Sequence, residues 1–379
     1  MAWIRNRPVG LVHRDPDRSW PGYTLFCPIR GTTANLLDPA GRIVWRWQHP
    51  EGIQHAKLAP DGNLLIQTQP PQDAEGLEQI GGSAAALVEL DWDSKLVWEH
   101  RDPHQHHDYQ RLPNGNHLLL SWRKLPDGVQ EQIRGGFQHR DDPERMWGDV
   151  VQEIGREGDI VRQWRSWEHL CFEQDVRCPL ESRKEWTHAN SIECLPDGRW
   201  LLSFRLTNTL AIVEPESGRI EWRWGPGILS HQHAASWLES GRVLVFDNGC
   251  HRRGLPSFSQ LLEIDPETNE IAWTYRPAVV LSFFSFMAGG ADRLAGGNTL
   301  VTEAASGRIF EVTPAGDTVW EYVSPFTLID PRFGPTPAVF RAHRYAADHP
   351  SLAGRDLTPG RHEALERKIA AAGLAVGEE

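Results

Sequence analysis

The chain has 379 residues, more than one ordinary core accommodates, so two domains or one large closed architecture is expected. Acidic side chains outnumber basic ones 51 to 39, a formal net charge of -12, which argues against nucleic acid or an anionic membrane as the main partner. Its 17 Trp, 34 Gly and 27 Pro point to many short strands joined by turns.

The N-terminus, "MAWIRNRPVGLVHRDP", has no apolar core of the kind a secretory signal needs, and no later stretch reaches the ~18 apolar residues of a membrane span. Cys27, Cys171, Cys178, Cys194 and Cys250 make an odd count without a CxxC pair. That usage fits free thiols in a reducing compartment, so a cytoplasmic protein is expected.

From residue 35 onward one pattern recurs: "NLLDPAGRIVWRW" (35–47), "LVELDWDSKLVWEH" (87–100), "VQEIGREGDIVRQW" (151–164), "LAIVEPESGRIEWRW" (210–224), "LLEIDPETNEIAWTY" (261–275) and "IFEVTPAGDTVWEY" (309–322). Each is an apolar strand, a turn and a strand alternating towards Trp. Five of them follow a second hairpin: "LAPDGNLLI" (58–66), "LPNGNHLLL" (112–120), "LPDGRWLL" (195–202), "LESGRVLVF" (238–246) and "LAGGNTLV" (294–301). Their Gly-containing turns supply the positive φ a tight turn demands. "GYTLFCP" (22–28) is a weaker counterpart for the first unit.

Two hairpins per unit, at intervals of about 50–65 residues, match one four-stranded propeller blade. The sequence therefore predicts an all-β fold, a six-bladed β-propeller over residues 1–340, with the Trp strands outermost. A tail over 341–379 contains a short helix in "RHEALERKIAAAGLAV". Insertions at 124–148 and 165–187 interrupt the third unit and are expected to act as lids or partner surfaces. "DPERMWGD" and "RKEWTHAN" within them are expected to supply an aromatic rim.

Histidines recur at one place in the hairpins. His55, His107, His188 and His233 each stand about seven to ten residues ahead of a turn, at the start of a first strand. In a propeller such positions converge on the axis at one face. Hairpin symmetry sets Arg205 opposite His188 and Asn248 opposite His233, subject to bulges. Neutral imidazoles beside a fixed cation suit nucleophilic catalysis on an anionic group.

"HHDYQRLPNGNHLLL", "HANSIECLPDGRWLLSFRLTNTLAIVEPESGRIEWRWG", "QHAASWLESGRVLVFDNG" and "GGNTLVTEAASGRIFEVTPAGDTVWEY" resemble the arylsulfotransferase family of six-bladed propellers over about residues 20–345. The resemblance implies transfer of a sulfuryl group from a phenolic sulfate ester to a phenol. It also implies a sulfohistidine route that uses neither a nucleotide donor nor a metal. Carried over motif by motif, His233 is the nucleophile, and His107, His188 and Arg205 bind the sulfuryl group and stabilise its charge. His55, Asn248 and Tyr109 are expected on the substrate, a small aromatic molecule. The chain departs from secreted family members in lacking a signal segment, an extra N-terminal domain and most of the tyrosines, with five Tyr in all. Gly289-Gly290 replaces a histidine in the last hairpin.

Two other readings stay open. His55, His107, His188 and His233 are suitable ligands for one transition-metal ion in an oxidoreductase, lyase or hydrolase, with Glu303 or Asp247 offsetting Arg205. A non-catalytic ligand-binding propeller is the second.

Overall fold

The computed structural model describes residues 8–70, 76–253 and 256–372. Part of the expected non-signal N-terminus and the end of the expected C-terminal helix lie outside them. The fold is a six-bladed β-propeller, and its strands divide between two compact units.

The first unit comprises residues 1–69, 86–101 and 276–379. One of its sheets runs His55–Leu58, Leu64–Gln67, Ala86–Leu90, Leu96–Arg101 in spatial order. Another runs Val339–Ala346, Gly22–Pro28, Thr33–Leu37, Ile43–Gln48, so a C-terminal strand stands first in a blade that otherwise opens the chain. That strand carries the blade beyond residue 340, to Ala346. The third runs Gly290–Arg293, Thr299–Glu303, Arg308–Val312, Thr318–Val323, and Gly10–Arg14 adds a fifth strand at its edge. The helix Glu363–Ala372 packs on this unit: Ile369 joins Phe26, Ile309 and Tyr322, and Glu366 Oε1 accepts the Ile43 N–H at 2.7 Å.

The second unit comprises residues 70–85 and 102–275. Its sheets run Gln105–Arg111, His117–Lys124, Trp147–Ile154, Ile160–Arg165; then Ala189–Cys194, Trp200–Phe204, Thr209–Val213, Ile220–Trp224; then His233–Trp237, Val243–Asp247, Gln260–Ile264, Ile271–Tyr275. We call these the third, fourth and fifth blades. The facing sides of the third and fourth blades are apolar because each covers the other. Leu118, Leu120, Val151, Leu202, Phe204 and Ala211 form one continuous core. Each of the larger side chains, the leucines, Val151 and Phe204, contributes about 1.5–3 kcal/mol by leaving water.

The Trp strands lie last in their four-stranded order, with Gly10–Arg14 edging the one that holds Trp320, and their indoles explain the residue choice. A buried indole N–H needs an acceptor, and here it reaches a turn of the next blade. Trp164 Nε1 donates to Gly218 O at 3.0 Å and Trp224 Nε1 to Asn269 O at 3.2 Å. In the first unit, Trp45 Nε1 donates to Trp92 O and Trp320 Nε1 to Pro39 O, both at 3.0 Å. Each Trp therefore staples its blade to a neighbour within the same unit.

The two insertions of the third blade pair with each other. Gly135–Phe137 and Arg177–Ser182 form a parallel ladder, and Glu185–Trp186 adds to Trp147–Ile154. The expected aromatic rim is not formed. Trp147 is 2% and Trp186 0% exposed, because both rings are core rather than surface groups. Trp186 stacks on Phe172 at 5.1 Å, and Lys124 Nζ lies 3.8 Å over Trp147.

Candidate active site

The first strands of the third, fourth and fifth blades share an irregularity that re-aims their histidines. The ladder slips between His106 and Tyr109, between Ala189 and Ser191, and between His233 and Ser236. A bulge of this kind turns side chains out of the strict alternation of a strand. His107, His188 and Ala234 take left-handed backbone angles there, with φ of 53°, 60° and 52°. Such angles persist in non-glycine residues only where the surroundings enforce them.

The enforcing bonds are visible. The His107 N–H donates to Gly82 O at 2.8 Å, and the Arg205 N–H donates to His188 O at 3.1 Å. Asp149 organises the approach to His188: its carboxylate accepts the Thr187 N–H, the Thr187 hydroxyl at 2.9 Å, the Ala189 N–H at 3.0 Å and the Trp122 indole at 3.1 Å. Burial pushes the Asp149 carboxyl up to about 6, against the pull of those donors.

These constraints bring His107 and His188 together, with ring centroids 4.5 Å apart. His107 is 2% and His188 7% exposed. Burial, then the charge of Arg205, holds His188 well below the usual imidazole range, so its ring is neutral at pH 7. Its Nδ1 lies 2.8 Å from Glu185 Oε1, and burial raises that carboxyl to about 6. His107 Nδ1 lies 3.0 Å from His106 Nδ1, so one ring donates to the other. His106 stacks on Trp122 at 4.0 Å.

His233 begins the fifth blade. The strand register pairs it with Phe246 rather than Asn248, because the bulge absorbs two residues of the turn count. The side chains still meet: His233 Nδ1 lies 2.8 Å from Asn248 Oδ1. An amide oxygen accepts only, so Nδ1 carries the proton and the ring's lone pair is on Nε2. The fourth and fifth blades are joined here by Asn190 Nδ2, which donates to Gln232 O at 2.7 Å. Arg205, 16% exposed, lies 3.0 Å from Glu181 of the insertion strand. Glu181 also stands 3.3 Å from His231, whose ring burial keeps neutral.

Tyr109 follows the bulge and is fully buried opposite Leu119. His55 belongs to the first unit. Its Nε2 is 3.1 Å from His343 Nε2, and His343 Nδ1 is 2.8 Å from Asp292 Oδ2, a carboxylate–imidazole–imidazole chain. His106, Asp149, Glu181, Glu185 and His343 escape the sequence pattern. The adjacent "HH" of 106–107 is the one signal that marks any of them.

Two expectations follow from this packing. A Cβ on Gly82 would lie 2.2 Å from the His107 ring, and Gly82 has φ of +83°. Gly82→Ala is expected to cost about 1–2 kcal/mol from the backbone alone and to displace His107. A lowered unfolding midpoint in denaturant together with impaired turnover checks it; a variant as stable as the parent would refute it.

The second concerns acid. Burial pushes His106 down to about 3 from its ordinary 6.5, with Arg123 adding to the fall and Asp102 opposing it. A depressed folded value means that the neutral ring stabilises the fold fully above pH 6.5, and that this contribution is lost as pH falls towards 3. Asp149, raised to about 6, works the opposite way and offsets part of the loss. His106→Phe, which keeps the stack on Trp122, is expected to flatten the acid limb of a stability-against-pH profile measured by urea unfolding. An unchanged limb would assign acid sensitivity elsewhere.

Fold and site define a β-propeller with imidazoles and a guanidinium gathered at the mouths of adjacent blades. The chain belongs to the arylsulfotransferase (ASST) family, which it matches over residues 85–325. No curated protein matches it by sequence. Among solved structures it is similar to a protein of unknown function from Bacteroides caccae, at 13% identity and a TM-score of 0.54, covering 86% of this chain and 99% of that one. A streptogramin B lyase is similar at 11% identity and a TM-score of 0.47, covering 85% of each chain. A virginiamycin B lyase from Staphylococcus aureus is similar at 12% identity and a TM-score of 0.46, covering 84% of each. At 13% identity the first of these likenesses speaks for the fold alone. The chain is a sulfotransferase-like propeller.

Proposed function

We propose that the protein transfers a sulfuryl group from a phenolic sulfate ester to a phenol through a sulfohistidine at His233. The observation that carries this reading is the buried pair of His107 and His188, 4.5 Å apart, with Arg205 bonded to the His188 backbone. A sulfate monoester has one negative charge spread over three oxygens. A guanidinium fork and the one imidazole N–H left to His107 match that charge without requiring a second full cation, while His188, whose N–H is given to Glu185, packs beside them.

Asn248 fixes the His233 tautomer that carries its lone pair on Nε2, the atom that attacks sulfur. The N–S bond forms as the S–O bond to the aryl group breaks, and the electron pair leaves as phenolate. Asn248 Oδ1, accepting from Nδ1, stabilises the positive charge that spreads over the sulfonated ring. The acceptor phenol then attacks sulfur, the N–S pair returns to Nε2, and the acceptor's proton passes to solvent or to the departed phenolate. Arg205 and His107 hold the sulfuryl oxygens through both steps, and His188 supports the His107 ring. No metal enters this sequence.

A two-step exchange through one enzyme site has a kinetic signature. Release of nitrophenol from 4-nitrophenyl sulfate is expected to depend on added phenol, with parallel double-reciprocal lines. Intersecting lines, or no turnover of any aryl sulfate, would contradict the reading.

A further inference from the structure

Beside this site is a donor set that sulfuryl transfer does not use. Cys178 comes from the insertion strand Arg177–Ser182, His231 from the approach to the fifth blade, and His251 from the segment after Val243–Asp247. One ligand atom from each lies within 4.8 Å of the other two. Cys178 Sγ is 3.3 Å from His251 Nδ1, and the two imidazole rings meet edge to face at 4.7 Å. Glu181 Oε1 closes the group, 3.3 Å from His231 Nδ1 and 4.0 Å from His251 Nδ1.

His231 is the independent sign that something belongs there. Its side chain is 1% exposed, and neither ring nitrogen has a hydrogen-bond partner. A buried polar group left in that state costs stability unless a ligand satisfies it. Around tetrahedral zinc, bonds of about 2.3 Å to sulfur and about 2.0–2.1 Å to nitrogen put neighbouring donors about 3.2–3.6 Å apart. Two of the separations, each 3.3 Å, fall within that range and a third, 4.0 Å, lies just above it, so small side-chain shifts complete the shell.

We propose that Cys178, His231 and His251, with Glu181 as fourth ligand, form a zinc site. One thiolate, two imidazoles and one carboxylate suit Zn2+ over magnesium or calcium, which prefer all-oxygen shells. On binding, the Cys178 S–H proton leaves to solvent as the Zn–S bond forms. The three elements are then tied together, fixing the insertion strand against the fifth blade. Because Glu181 also holds Arg205 at 3.0 Å, the metal would adjust the position of that guanidinium. The proposal does not rest on sulfuryl transfer, and its donor set is distinct from a four-histidine centre.

The test uses the full chain without an affinity histidine tag, stripped with chelator and titrated with Co2+ and then Zn2+. Cobalt is expected to give a thiolate charge-transfer band at one equivalent, and zinc to displace it. Cys178→Ser is expected to abolish the band. His251→Ala, at a partly exposed position, is expected to weaken zinc retention about tenfold or more. Cys194→Ser serves as a control that keeps both. Retention of less than about a tenth of an equivalent of zinc, measured by elemental analysis after gel filtration, would overturn the proposal. So would a thiolate band that survives in Cys178→Ser, or, if that variant does not fold, undiminished zinc retention in His251→Ala.

Discussion

His233→Ala is expected to abolish sulfuryl transfer while leaving the protein folded. The residue is 3% exposed, but its ring makes its polar contact with Asn248 at the strand start rather than within the apolar core. Removing it deletes the attacking atom. Losing a catalytic nucleophile lowers turnover by about 10^4-fold or more. Asn248→Ala is expected to show a milder loss, because it frees the tautomer but leaves the imidazole. Aryl sulfate turnover and circular dichroism, measured side by side, separate loss of chemistry from loss of fold. Persisting turnover in His233→Ala would move the nucleophile to another residue.

Arg205→Ala is expected to slow transfer by roughly a hundredfold or more, the equivalent of about 3–4 kcal/mol for one positioned electrostatic donor. The guanidinium is fixed twice, by its own backbone N–H on His188 O at 3.1 Å and by its side chain on Glu181 at 3.0 Å. Only the second anchor is lost on substitution, so the His188 backbone stays in place. Removing the cation also leaves Glu181 facing the anionic substrate without its partner. Arg205→Lys keeps the charge but not the planar fork, and is expected to recover part of the rate. An Arg205→Ala variant within a factor of about two of the parent would remove Arg205 from the charge-stabilising set.

Much of the architecture was written in local signals. The Gly-containing turns and Trp strands mark blades because each operates within about a dozen residues, where strand pairing is governed by the turn itself. The same locality made Arg205 legible from His188, since their hairpin carries a single slip next to them. It misplaced the register of Asn248, because the slip between His233 and Ser236 leaves no mark in composition. Long-range pairing was beyond reach. Val339–Ala346 lies beside Gly22–Pro28, more than 300 residues earlier, and no turn announces it. His343, the partner of His55, was hidden with it. The insertions concealed most of the site's carboxylates: Glu181 and Glu185 come from a stretch with no regular hydrophobic period. Asp149 was masked by the apolar strand that carries it. Trp147 and Trp186, read as a rim, are buried because the insertion packs down and brings them into the core.

A sulfuryl group carried by His233 between donor and acceptor is held covalently on the protein between the two steps. The most direct measurement is intact-protein and peptide mass spectrometry after a brief incubation with 4-nitrophenyl sulfate in the absence of acceptor. An adduct of about 80 Da, the mass of SO3, is expected on the peptide holding His233 and is discharged when phenol is added. An adduct on a different residue, or turnover of the sulfate ester through a protein that never gains the mass, would contradict it.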